Sequence, residues 1–461
     1  VSFAPVRLDG GGCANVHARS GTGIMVAGAD TQGFFLSTNN ATSWTVQNKG
    51  IGKAAHWRQC AALLWSVTET SPAVIYAGVG ERGSGGGLLA GTLDGSNNLS
   101  WALRSAVPQW AGNQAGSTFP GPNNGWQRPT GRLLYQDASF LFAGTFRQGV
   151  MRSANGGNDD FPVICQMAGA APGVGNWWCR SLSGDPNTVN NLYAGFYDSA
   201  GNPQGMWKCT NAHAGTPNFT QIAGGPSIAD EIFPVGDYLY VAGAGDGIWR
   251  YGPLSGSPAW ASLNGSSVPH PGGTGSDWWS AVAGYVDGSA NHVVMIGNSA
   301  ASNVAQCLMK LVIPSNYPTG SITYSNEAGS VQTATEPPGY TWWHHGGSYQ
   351  NWLGGGGYFC PMVTIDASNL AAIKMWCAGS EGSFRNLNGA GWQIANSGMP
   401  QFLAHPVAAD PVHAGHVVFG DSDWCVFDDT APGTETQATL LNDKLPGGNQ
   451  GQALCFPPDG A

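Results

Sequence analysis

Short apolar runs, each ending in a small residue and a glycine and followed by a polar loop, recur from one end of the chain to the other. Eight instances stand out: Val26-Ala27-Gly28, Tyr76-Ala77-Gly78, Phe142-Ala143-Gly144, Tyr193-Ala194-Gly195, Val241-Ala242-Gly243, Met295-Ile296-Gly297, Cys377-Ala378-Gly379 and Val418-Phe419-Gly420. Consecutive glycines of this set are 41 to 82 residues apart, which suits a four-stranded propeller blade of roughly 40–50 residues with insertions in some loops. Four strands can be drawn around each marker. In the fifth repeat they fall at 228–234, 238–242, 247–251 and 259–263, each bounded by Gly, Pro, Asp or Ser.

A ring of such sheets leaves no long open edge and needs no helices to cover its faces. The expectation is therefore all-β, a single β-propeller over residues 1–461 with eight four-stranded blades. Seven is the alternative, because residues 3–8 and 453–456 look like spare strands that the two ends could share at closure. The long spacings mark insertions at about 109–131 and 331–357.

Composition narrows the partners. Only 10% of residues are charged, the net charge is −10, and no Lys/Arg-rich run exists, which argues against nucleic acid, whose binding rests on clustered cations. No apolar stretch approaches the ~20 residues of a membrane span. Ten cysteines form no Cys-x-x-Cys pair and no zinc spacing, so disulfides are expected, with buried thiols the alternative for Cys60, Cys179 and Cys377 in apolar runs. Asn-x-Ser/Thr triplets at Asn40, Asn98, Asn218 and Asn264, and a chain that starts at Val1 without a signal peptide, suit a processed, secreted monomer.

Three repeats place a Ser/Thr and Asn segment before an aromatic residue: Ser37-Thr38-Asn39-Asn40 with Trp44, Ser153-Ala154-Asn155-Gly156 with Phe161, and Thr210-Asn211 with Phe219. These resemble the Asp-box turns of sialidase-like glycosidase propellers, with Asn in place of Asp. The resemblance implies a turn between third and fourth strands, closed by the Asn side chain and anchored by the ring. Such turns lie on one side of a propeller. The loops between second and third strands, and those leading to the next blade, emerge together on the other, here called the top face.

Top-face loops hold Asp30, Glu81, Arg82, Arg147, Tyr197, Asp198, Asp246, Asn298, Glu381, Asp421 and Asp423. The links between blades add His56-Trp57-Arg58, Trp126 with Arg128 and Arg132, Trp177-Trp178 with Arg180, Asp230-Glu231, Asp277-Trp278-Trp279 and Trp342-Trp343-His344-His345. Aromatic rings beside polar groups suit the apolar faces and hydroxyls of sugars. A polysaccharide or oligosaccharide is therefore the expected partner, held by Trp57, Arg58, Trp126, Arg128, Trp177, Trp178, Arg180, Trp278, Trp279, Trp342, Trp343 and His345. Adjacent histidines on an extended chain point apart, so no catalytic metal or cofactor is expected, although loop Asp and carbonyl oxygens would suit a structural Ca²⁺.

The segment Ala29-Asp30-Thr31-Gln32-Gly33-Phe34-Phe35-Leu36-Ser37 is similar to the first blade of the xyloglucan-cleaving propeller hydrolases. That resemblance implies a glycoside hydrolase with Asp30 as one catalytic carboxylate. Loop position makes Asp246, Asp421 and Asp423 candidates for the second, since glycoside hydrolysis takes a carboxyl pair. The alternative is a lyase acting on a uronic acid polymer, with His56 or His344 drawing off the proton and Arg neutralising the substrate carboxylate. A lectin without catalysis is the third reading.

Overall fold

The computed structural model describes residues 13–29, 33–51, 60–81, 84–108, 110, 132–146, 148–167, 177–198, 201–243, 245–263, 279–298, 308–327, 362–379, 382–395, 404–409, 417–421, 426–429 and 439–440. Among these there is no helix. Strands group into seven four-stranded sheets and one of five strands. The extra strand, Gln166–Met167, follows blade three and pairs in parallel with Asn218–Gln221, the outer strand of blade four.

Burial falls from the axis outward, and this explains the sequence pattern. Blade faces are covered by neighbouring blades, so a second strand such as Leu192–Tyr197 is buried at every position and reads as a continuous apolar run rather than an alternating one. Outer strands such as Thr45–Val46 are exposed. The core is accordingly a series of layers between blades. In one of them Val26, Phe34 and Leu36 of blade one meet Cys60, Leu63 and Ile75 of blade two.

The marker glycines Gly28, Gly78, Gly144 and Gly195 lie beneath the segment that leads into the next blade. A Cβ at Gly28 would sit 2.3 Å from Cys60 Sγ, one at Gly144 2.5 Å from Cys179 Sγ, and one at Gly195 1.9 Å from the Ala229 carbonyl oxygen. At Gly78 the neighbour is the fully buried Trp110, whose Nε1 donates to the Gly87 carbonyl. The recurring glycine is thus a packing requirement.

Ring closure corrects the expected blade count. The inner strands Cys13–Arg19, Cys60–Thr70, Leu134–Gln136, Trp178–Gly184, Glu231–Val235, Trp279–Val286 and Met362–Asp366 lie side by side in order, and the seventh packs back on the first. Thr364 of blade seven donates its hydroxyl to the Val16 carbonyl of blade one at 2.6 Å. Seven blades, not eight, therefore make the ring. The eighth repeat does form a sheet, from Ala404–Ala409, Val417–Asp421, Val426–Asp429 and Thr439–Leu440, but the contact of blade seven with blade one leaves it no place in the ring. Blades one and seven each have four strands of their own. The segments 3–8 and 453–456, expected to be shared at closure, lie outside the described residues.

Half of the ten cysteines fall outside the described side chains. Among the described ones Cys60, Cys165, Cys179, Cys209 and Cys377 are buried, and no disulfide joins any two of them. Their apolar setting raises the thiols of Cys165, Cys179 and Cys209 above the ordinary range. Among the triplets suggestive of glycosylation, Asn98 Nδ2 donates to Asp94, and the Asn40 side chain lies against Gly23 with its Oδ1 buried.

Candidate functional site

The best-defined polar group of the top face lies where blade four meets blade five. Along the inner strand of blade four the register passes from Cys179 opposite Phe196 to Ser181 opposite Gly195, leaving Arg180 as the extra residue of a β-bulge. Bulges re-aim side chains. Here Arg180 is turned toward the next blade, where its Nε donates to Asp230 Oδ1 at 3.3 Å. Tyr197, ending the second strand of blade four, donates its hydroxyl to the same oxygen at 3.1 Å. Burial, followed by the charge of Asp230, holds the Tyr197 phenol well above its ordinary range.

Asp246, one of the expected carboxylates, occupies the loop between the second and third strands of blade five. It is half-buried. Its Oδ2 accepts from the Ser227 hydroxyl at 2.5 Å and the Ile228 amide at 2.9 Å, and Trp249 Nε1 donates to its carbonyl at 2.8 Å. Asp246 therefore braces the chain that leads into Asp230, whose own amide donates to the Ala242 carbonyl at 2.9 Å.

Asp230 and Glu231 are consecutive and point to opposite sides of the strand. Glu231, fully buried, meets Arg132 on the axis of the ring. Arg132 comes from blade three and crosses to three others: Nη1 donates to Glu231 of blade five and at 2.9 Å to the Val282 carbonyl of blade six, and Nη2 at 2.8 Å to the Val363 carbonyl of blade seven. The Phe233 ring lies 4.4 Å from the guanidinium. Burial raises Glu231 to about 8, against the pull of Arg132. His17, on the inner strand of blade one, is lowered to about 4 by burial and then by the Arg132 charge.

Among the expected saccharide-binding residues, Trp279 is 1% exposed and belongs to the core between blades five and six. Trp178 is buried against Phe146, their rings 4.8 Å apart. Trp177, half-buried, meets Trp207 edge-on at 5.4 Å. Burial withdraws the rings of Trp178 and Trp279 from any ligand at the surface. The structure thus brings Arg180 and Asp246 to one stretch of the top face. Asp30, Asp423, His56, Trp57, Arg58, Trp126, Arg128, Trp278, Trp342, Trp343, His344 and His345 lie outside the described residues, as does the side chain of Asp421, which ends a strand of the eighth sheet.

Asp230, Glu231, Tyr197 and Arg132 complete the arrangement but stand outside the expected catalytic and binding sets. The adjacent Asp and Glu, in a chain where charge is scarce, are the signal that pointed to them. Other loop carboxylates serve their own turns: Asp198 Oδ1 accepts from the Asn202 amide, and Asp287 Oδ1 from Ser289 and Asn291. Among the described residues no three His, Cys, Asp or Glu side chains gather as metal ligands.

No protein-family model matches the sequence. No curated protein matches it either. Solved structures do resemble it: a GH74 enzyme of Niastella koreensis aligns with a TM-score of 0.65 at 16% identity, over 99% of this chain and 70% of that one. The fold is that of the GH74 propellers. The GH74 xyloglucanase of Xanthomonas campestris aligns at 0.60 and 14% identity, over 92% of this chain and 59% of its own. An ancestral GH74 enzyme aligns at 0.60 and 17% identity, over 95% of this chain and 55% of its own. The chain spans less than two thirds of the latter two GH74 structures, and at these identities the likeness is one of fold.

Proposed function

We propose that the protein is a secreted glycoside hydrolase that binds a polysaccharide across the top face of its propeller. The observation that carries this reading is the setting of Asp246, a half-buried carboxylate that accepts from the Ser227 hydroxyl and the Ile228 amide beside the Arg180, Tyr197 and Asp230 group. Shared architecture with GH74 enzymes supports it and makes xyloglucan the first polymer to try. Asp30 is assigned as one carboxylate by its resemblance to the xyloglucan-cleaving hydrolases, and Asp246 is the described candidate for the second. Arg180 and Tyr197 do not suit the lyase alternative well: both are engaged by Asp230, and a phenol raised by burial is a poor proton acceptor at neutral pH.

The test is incubation with xyloglucan and with neutral and uronic polysaccharides, following reducing ends and ultraviolet absorbance together, with Asp30→Asn and Asp246→Asn beside the wild type. Reducing ends without absorbance, lost in either variant, are the expected result. Absorbance from an unsaturated uronate product would replace the hydrolase with a lyase. Binding without either signal would make the protein a lectin.

A further inference from the structure

Two buried polar atoms of the inner strands lack a hydrogen-bond partner among the described residues: Oε2 of Glu231, the partner of Arg132, and Nδ1 of His17. Both belong to the axis of the ring. The Val363 carbonyl holds Arg132, the next residue, Thr364, bonds to the Val16 carbonyl, and His17 follows Val16. The influence of Arg132 on His17 agrees with this closeness. Leaving such atoms dry is costly, and buried polar groups in native proteins are nearly always satisfied by protein, water or ligand. The Arg132 side chain is 17% exposed, so the group reaches solvent.

Hydrogen-bonding chemistry defines what would fit. Arg132 turns away a cation, and the two open atoms belong to groups that accept when deprotonated and donate when protonated. Adjacent hydroxyl groups, each able to donate or to accept, match both atoms in either state. We propose that the axis of the ring binds a small neutral ligand with vicinal hydroxyl groups, a sugar or polyol, one hydroxyl bonding to Glu231 Oε2 and its neighbour to His17 Nδ1. The ligand is either a free solute or the terminal sugar of a polysaccharide that enters from the top face.

The inference does not depend on cleavage, because binding is read without turnover. Calorimetric titrations of the full chain with glycerol, D-glucose, D-xylose and a xyloglucan oligosaccharide test it, alongside Glu231→Gln and His17→Phe. Saturable binding that weakens about tenfold or more in the variants is the expected result, the usual consequence of losing a hydrogen bond to a charged or buried acceptor. Binding of the small probes identifies a free solute, and binding of the oligosaccharide alone identifies a chain end. Glu231→Gln also disturbs Arg132, so where it does not fold His17→Phe decides: that change removes Nδ1 and keeps an aromatic ring in its place. Heat that is absent for every probe would mean that water alone satisfies these atoms, and binding unchanged in His17→Phe would place any ligand elsewhere; either overturns the proposal.

Discussion

Arg180 Nε lies 3.3 Å from Asp230 Oδ1, and the two side chains come from neighbouring blades, with 13% and 5% of their surfaces exposed. So enclosed a pair behaves differently from a surface ion pair, since removing one partner strands the other charge. Arg180→Met is expected to lower stability by about 3 kcal/mol, read from urea unfolding midpoints. Arg180→Met with Asp230→Asn should recover most of that loss. A double variant no more stable than Arg180→Met would mean that the arginine acts by packing.

The axial group predicts opposing pH effects. Neutral His17 contributes stability that is complete above its unfolded value of 6.5 and is lost as the pH falls toward 4, because the unfolded chain takes up the proton first. Glu231 is the reverse: raised from 4.5 to about 8, its contribution is complete below 4.5 and is lost as the pH rises through 8. Unfolding midpoints across this range should fall between pH 6.5 and 8 in the wild type. Glu231→Gln should flatten that alkaline limb, and His17→Phe the acid limb.

Gly144→Ala places a methyl group 2.5 Å from Cys179 Sγ. Overpacking of this kind costs about 1–3 kcal/mol, and the melting temperature should fall accordingly. Cys179→Ala in the same chain should restore part of the loss by removing the sulfur. If Gly144→Ala melts with the wild type, close packing is not why the marker carries glycine.

The buried thiols make a chemical prediction. Cys165, Cys179 and Cys209 should resist a thiol reagent in the native protein and react once it is unfolded without reductant, as counted by mass spectrometry of the labelled peptides. Labelling only after reduction would show that these residues pair covalently.

The glycine pattern made the blades legible because several of these glycines answer a local demand: Cys60 over Gly28, Cys179 over Gly144, the Ala229 carbonyl over Gly195. The number of blades in the ring was not legible in the same way. Each repeat makes a sheet by pairing its own strands, whether or not it joins the ring, and closure rests on contacts such as Thr364 with Val16 that no local pattern encodes. Cysteine parity does not separate paired residues from packing ones: Cys60 and Cys179 recur at the start of inner strands, against the glycines of the preceding blades. The spacing was enough to put Asp246 in the loop between the second and third strands of blade five. It was not enough to show the joining of Arg180 to Asp230, which needs both the bulge that turns the arginine and the adjacency of two blades.

Closure by whole blades gives the ring a seam. Among the described residues neither blade one nor blade seven borrows a strand from the other, and no ladder of backbone hydrogen bonds clasps them together. What joins them is a layer of side chains, with Trp44 Nε1 donating to the Ala395 carbonyl, Arg385 to the Asn40 carbonyl, and the Gly21 amide and Ser20 hydroxyl to Asp366. Pulled tangentially, such a circle parts at its clasp before any sheet is unzipped, so the first mechanical event in this protein is an opening of the circle into an arc of intact blades.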